Sequence, residues 1–269
     1  MNRIYTSYLE RPFQTPFLIA TNCRDIAQKL IIKYGNYISK VKKVDKNCKM
    51  ISVLKNEDHY TITTLQSLTE TDQPIEYVGQ YISKNTEFDD KIFALHGAAV
   101  EWKGQANLFL APTTSGKTTL TAYMTNKGCG YLTDDCVLID RLNFNVYPYS
   151  TPIRLREGGY NLLRKVSPIS EDIYVLSESP LLRRFTYTPA FCINHPILLN
   201  KIYFIQRNEN NNKILPMSNV EKIESLLKAP IVEYPLSIEY LKFVSQLAQK
   251  ECFRLFYKDM DYVKDVVQS

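Results

Sequence analysis

Leu108-Phe109-Leu110-Ala111-Pro112-Thr113-Thr114-Ser115-Gly116-Lys117-Thr118-Thr119-Leu120 is the stretch of this 269-residue chain that decides its fold. An apolar strand enters it and a helix leaves it, so the residues between must turn the backbone at a helix N-terminus. There the free N–H groups and the helix dipole favour an anion. Ala111, Pro112, Thr113, Thr114, Ser115, Gly116, Lys117, Thr118 and Thr119 supply the elements of a phosphate-binding loop. Gly116 permits close backbone approach, Lys117 can reach the β and γ phosphates of a nucleotide, and the Thr118 hydroxyl can sit on Mg²⁺. Ala111 stands where the usual pattern opens on glycine, and Pro112 follows it.

Upstream, the apolar runs IFALHGAAVEW and NLFLA are separated by Lys103-Gly104-Gln105, which reads as a β-hairpin feeding the loop. Downstream, a helix is expected from about Gly116 to Lys127, stopped by Gly128, and then a buried strand from Tyr131 to Asp140 beside the loop's own strand. That second strand carries Asp134-Asp135. Ionised carboxylates in an apolar strand need a cation or donors, and Mg²⁺ with Lys117 would supply both, so Thr118, Asp134 and Asp135 are the candidate metal ligands. His96 sits in the first hairpin strand, where Gly97 would permit a tight turn that brings the imidazole towards the phosphate site.

Elsewhere the chain is less specific. Residues 1–90 read as a small α+β domain, with a helix from Asp25 to Tyr34 capped by Asn22 and strands at Met50–Leu54 and Tyr60–Thr64. Residues 91–269 read as the catalytic domain. Its later part holds a β-rich stretch from Asn143 to Leu155, a short helix from Gly158 to Lys165 and a strand from Ile197 to Gln206. A polar turn at Asn208–Asn212 precedes helices near Val220–Leu227 and Ile238–Arg254, which close the chain. A net charge of +5 is spread along the chain, apart from Lys40, Lys42, Lys43, Lys46 and Lys49, and this reads as a solvated face rather than a nucleic-acid surface. The six cysteines show no metal-ligand spacing and read as reduced thiols. With no apolar signal or spanning segment, the expectation is a cytoplasmic protein with neither a membrane nor a nucleic-acid partner.

In order and spacing, His96-Gly97, Ser115-Gly116-Lys117-Thr118 and Asp134-Asp135 resemble the catalytic domain of HPr kinase/phosphorylase, with 21 residues from His96 to Lys117 and 18 from Lys117 to Asp135. The likeness is closer still to the smaller HPr kinase-like enzymes that modify peptides. It covers Lys91 to Asp140 and continues in outline to Arg207. It implies an α/β fold, an HPr kinase/carboxykinase-like nucleotide-binding core with a mixed sheet, preceded by the small α+β domain. It implies ATP, with GTP as the open alternative, and Mg²⁺. By the same resemblance Lys117 binds the phosphates, Asp135 is the base on the acceptor hydroxyl, His96 assists, and Asp134 supports metal or water. Arg154 is the first candidate for steadying transferred charge, ahead of Arg183 and Arg184, and Glu157 is a further acidic candidate.

The expected reaction is transfer of a γ-phosphate to a hydroxyl, with a serine of a peptide or protein as acceptor, as in the tailoring of ribosomally made peptides such as lasso-peptide precursors. The resemblance is also compatible with a symmetric homo-oligomer. The glycine-arginine-rich signature of full HPr kinase/phosphorylases is missing after the aspartate pair, which argues against HPr as substrate and against the reverse reaction. Two alternatives stay open: kinase action on a small hydroxy compound, and a nucleotide-sensing module that binds without transfer, favoured by the altered opening Ala111-Pro112.

Overall fold

Two large sheets of different character, with a smaller three-stranded one, organise the chain in a computed structural model that describes residues 3–9, 14–39, 44–57, 59–169, 172–176, 183–231 and 237–269. The fold is mixed α/β, and the chain divides into two compact units, one of residues up to Asp89 with Ile173–Tyr187, the other of Asp90–Asp172 with Thr188–Ser269.

In the first unit, β1 (Tyr5–Leu9), β2 (Phe17–Thr21), β3 (Ile38–Ser39), β4 (Lys49–Asn56), β5 (His59–Thr64) and β6 (Leu68–Thr71) form a sheet in the order β3-β1-β2-β4-β5-β6. Only β2 and β4 run parallel, as a crossover through helix α1 (Arg24–Tyr34) requires. Alternation places Phe17, Ile19, Ile51, Val53 and Ile62 in the core, as do Ile26 and Leu30 of α1 and Ile75 and Val78 of α2 (Pro74–Asn85). Asn22 does not cap α1. Cys23 occupies that position without a side-chain bond, because the Asn22 amide accepts from Lys55 N at 2.8 Å, tying the end of β2 to β4. Lys40, Lys42 and Lys43 of the basic run lie outside the described residues, while Lys49 pairs with Glu87 at 2.7 Å.

The second unit opens with the expected hairpin, β7 (Ile92–Trp102) and β8 (Gln105–Leu110), closed by Lys103 and Gly104 at φ 51° and 77°. Two left-handed residues in a two-residue turn match the twist of paired strands. Helix α3 (Lys117–Asn126) follows β8 across the loop, and Gly128 (φ 95°) ends it. The expected strand from Tyr131 to Asp140 is two pieces, β9 (Gly130–Thr133) and β10 (Cys136–Asp140), broken at Asp134-Asp135. Both lie along β7, on the edge opposite β8. The aspartate strand is therefore not beside the loop's strand, because β7 runs between them.

The chain continues through β11 (Asn145–Tyr147), β12 (Ile153–Leu155) and α4 (Glu157–Val166), then a short hairpin, β13 (Tyr174–Val175) and β14 (Phe185–Tyr187), that groups with the first unit. β15 (Ile197–Arg207) runs parallel to β8, and β17 (Glu251–Tyr257) runs parallel to β15, with β16 (Lys213–Pro216) antiparallel at the edge. Because β11 bonds to both β10 and β15, five strands close into a ring around a core that includes Phe93, Leu108, Val137, Val146 and Ile202. Phe243 of helix α6 (Ile238–Leu247) packs its ring 4.7 Å from that of Phe93. Helix α5 (Asn219–Leu227) starts on a capping box made by Ser218 and Glu221. The expected helix to Arg254 stops at Leu247. Cys252 and Leu255, three apart, mimic a helical face but are buried positions of β17, and α7 (Met260–Gln268) closes the second unit.

Candidate active site

Three parallel strands, β8, β15 and β17, end on the same side of the sheet, and ligands in open α/β sheets gather at such carboxyl ends. From the end of β8 the loop Ala111–Gly116 leads into α3. Its turn needs two residues in the left-handed region, Thr114 at φ 69° and Gly116 at φ 93°. At Gly116 a side chain is strained by that φ and would fit tightly, since the Tyr257 hydroxyl lies 3.1 Å from where a Cβ would stand. The Ser115 hydroxyl donates to the Pro112 carbonyl at 2.7 Å, folding the loop on itself. As at every helix start, the first-turn N–H groups of Lys117, Thr118 and Thr119 have no preceding carbonyl of the helix to donate to.

Lys117 is 6% exposed, and its ammonium donates to the Ala111 and Pro112 carbonyls at 2.6 and 3.0 Å. Burial pulls its pKa down, and the charges of Asp135 and Asp134 oppose that. Thr119 packs under α4, where Gly159 leaves no room for a Cβ: one would lie 2.4 Å from the Thr119 hydroxyl.

Asp134 and Asp135 share a kink that Thr133 holds. The ladder pairs Ala99 with Thr133 and His96 with Cys136, so the two aspartates lie opposite Gly97 and Ala98. The buried Thr133 hydroxyl donates to the Cys136 carbonyl at 2.9 Å and accepts from Cys136 N at 3.4 Å, a local closure of the kink. The pair is split by environment. Asp135 is exposed, whereas Asp134 is 4% exposed and accepts a hydrogen bond from the Thr118 side chain. Burial, then the charge of Asp135, pushes the Asp134 carboxyl well above the usual carboxylate range, while Thr118, Arg154 and Lys117 pull the other way. Its Oδ1 is buried without a hydrogen-bond partner.

His96 reaches the same place along β7. Burial and then the charge of Lys117 lower its pKa, against Asp135 and a hydrogen bond to the Asp135 backbone. Its Nε2 is buried without a hydrogen-bond partner. Gly97 makes no turn. It lies inside β7, and a Cβ there would stand 2.5 Å from Leu110 Cδ2 and 3.0 Å from the Phe109 carbonyl, so glycine lets β7 and β8 pack at the loop's root.

Of the arginines, Arg154 is brought to the site by β12, with its charge felt by Asp134. Arg183 and Arg184 belong to the segment grouped with the first unit, and the Arg184 guanidinium donates to the Arg183 carbonyl. Glu157 is exposed at the start of α4 and is not among the groups acting on Asp134. Tyr257 carried no signal as a site residue, since a reading that runs helix through Arg254 leaves it in a tail. A strand assignment for Glu251–Tyr257 would have put it at a carboxyl end.

Among the described residues no three His, Cys, Asp or Glu side chains form a metal-holding group, all six cysteines are free, and no helix is long and apolar enough to cross a membrane. The orphaned Asp134 Oδ1 beside the Thr118 hydroxyl nonetheless fits a hard cation, which takes oxygen donors and completes its shell with water and phosphate.

No protein-family model and no curated protein sequence matches the chain. Among solved structures it is similar to the HPr(Ser) kinase/phosphatase from Coxiella burnetii, at 11% identity over 65% of this chain and 88% of that one, with a TM-score of 0.33. A superposition that loose carries no weight for the chemistry.

Proposed function

We propose that the second unit is an ATP-dependent kinase that transfers the γ-phosphate to a hydroxyl, with a serine of a peptide or protein as acceptor. The observation that carries this reading is the division of the aspartate pair beside Lys117: one carboxylate is buried on Thr118, the next is exposed. Two identical side chains in sequence thereby take two tasks. The Ala111–Thr119 loop is read as the phosphate cradle, with Lys117 neutralising the β and γ phosphates. Thr118 and Asp134 would hold Mg²⁺, which when bound supplies charge neutralisation to the triphosphate.

Asp135, open to an incoming acceptor, takes the hydroxyl proton as the acceptor oxygen bonds to the γ-phosphorus and ADP departs with the bridging oxygen. His96, neutral beside the Asp135 backbone, would assist at the same site by fixing the position of Asp135, which alone takes that proton. Arg154 steadies negative charge around Asp134. GTP in place of ATP and a precursor peptide as acceptor are finer expectations of the same reading.

The test is incubation with labelled ATP, Mg²⁺ and serine-containing peptides. Label should appear on an acceptor, and Asp135→Asn should abolish it while nucleotide affinity stays. Undiminished transfer by that variant overturns the base assignment. Nucleotide binding with no transfer to any peptide, protein or small hydroxy compound favours the sensing module, to which the Ala111-Pro112 opening already points.

A further inference from the structure

Tyr257 is the last residue of β17, and it is 4% exposed. Among the described residues its hydroxyl makes no hydrogen bond, although it lies at the helix-N-terminal loop, 3.1 Å from the position a Gly116 Cβ would take. The ring is buried while the hydroxyl keeps access to solvent at the loop, so its donor is unused by the fold and open to a ligand. The ring's placement is firmly built. The Tyr257 carbonyl accepts from Asn208 N at 2.8 Å, Lys258 N donates to Asn212 Oδ1 at 2.7 Å, and Asn212 Nδ2 donates to Asp259 at 2.7 Å. The polar turn at Asn208–Asn212 thus pins the end of β17. Arg207 is the register partner of Tyr257, and its charge is felt by the phenol.

We infer that the Tyr257 hydroxyl is a ligand contact of the loop and donates a hydrogen bond to an oxygen of the polyphosphate bound there. The inference rests on the phosphate-cradle part of the reading above and adds a donor from a strand two places from β8. A phenol whose ionisation is disfavoured by burial keeps its proton and suits an anionic oxygen.

The experiment is calorimetric titration of the full chain and of Tyr257→Phe with two probes, ATP and inorganic tripolyphosphate, alongside the thermal midpoint without ligand. Loss of a hydrogen bond to a charged oxygen should weaken both probes about tenfold or more. The ligand-free midpoint should stay level or rise, since the variant removes an unpartnered hydroxyl. Equal affinity of the variant and the parent protein for both probes overturns the inference, as does a lower midpoint with unchanged affinity, which marks Tyr257 as a mere floor of the loop. If the parent protein binds tripolyphosphate but not ATP, the kinase reading fails while the Tyr257 contact is still measured. If it binds neither, both fail.

Discussion

Among the described residues each compact unit buries one lysine, and the two lysines are treated differently. Lys33, 7% exposed in α1, donates to the Ile75 carbonyl at 3.0 Å and lies over the Tyr34 ring, and Gly79 of α2 makes room for it: a Cβ there would stand 2.3 Å from the ammonium. Lys117, equally buried, donates to two carbonyls of its own loop and lies within the field of two carboxylates. Lys33 ties two helices of one unit together. Lys117 sits among groups that are incompletely used, since Asp134 Oδ1 and His96 Nε2 are buried without partners close to it. Burial alone does not mark a functional charge; orphaned polar atoms around it do.

Substitution separates the two most sharply. Lys117→Ala should weaken transfer by about 100-fold or more, the loss that follows removal of one donor to developing charge. Its fold, followed by circular dichroism, should persist. Lys33→Ala should do the reverse, costing about 2 kcal/mol of stability in denaturant titration through a lost charged hydrogen bond and lost packing. Nucleotide affinity should then stay within about twofold, the margin expected for a site sharing no partner with Lys33. A Lys33 variant that loses nucleotide binding with its stability intact would break the contrast.

Gly97→Ala tests the root of the loop at a smaller scale. The added methyl meets Leu110 and the Phe109 carbonyl inside a packed sheet, so overpacking should cost about 1–2 kcal/mol. A lowered thermal midpoint is the expected result. An unchanged midpoint would mean that β7 and β8 can part without penalty, which the ladder from Gly97–Leu110 to Trp102–Gln105 argues against.

Sequence legibility followed local physics. The hairpin, the loop and α3 were readable because turn chemistry, an apolar strand and a helix start lie within one continuous window. His96, Lys117, Asp134, Asp135 and Arg154 are brought together, as the motif reading expected of the first four. The buried and exposed sides of the aspartate pair were not readable, because Thr133's closure of the kink and the intervening β7 are products of register. β17 was missed for a related reason. Between parallel β15 and antiparallel β16 its burial does not alternate strictly, Cys252, Leu255 and Tyr257 being buried at a spacing of two to three, so the run lacks the period-2 pattern of a half-buried strand. Tyr257 went unremarked with it.

The smallest effect expected is also the one that isolates Asp134. Its folded-state pKa is raised above the ordinary value of 3.8, chiefly by burial and next by Asp135. Below that value both folded and unfolded chains hold the proton, and the site carries no charge penalty. As pH rises past 3.8 the unfolded chain releases the proton first, so the folded state binds more protons and stability falls until pH passes the raised folded value. Asp134→Asn keeps the shape and cannot ionise. In EDTA and without nucleotide, it should be more stable than the parent protein by about 1 kcal/mol near neutral pH, the lower end of the cost of an unsatisfied buried group. The gain should vanish as the solution approaches pH 3.8. Adding Mg²⁺ with nucleotide should reverse the order, because the parent then gains binding free energy that the asparagine, lacking the charge, cannot match. A destabilised Asp134→Asn in EDTA would instead place Asp134 beside Lys33, as a buried charge already satisfied by the fold.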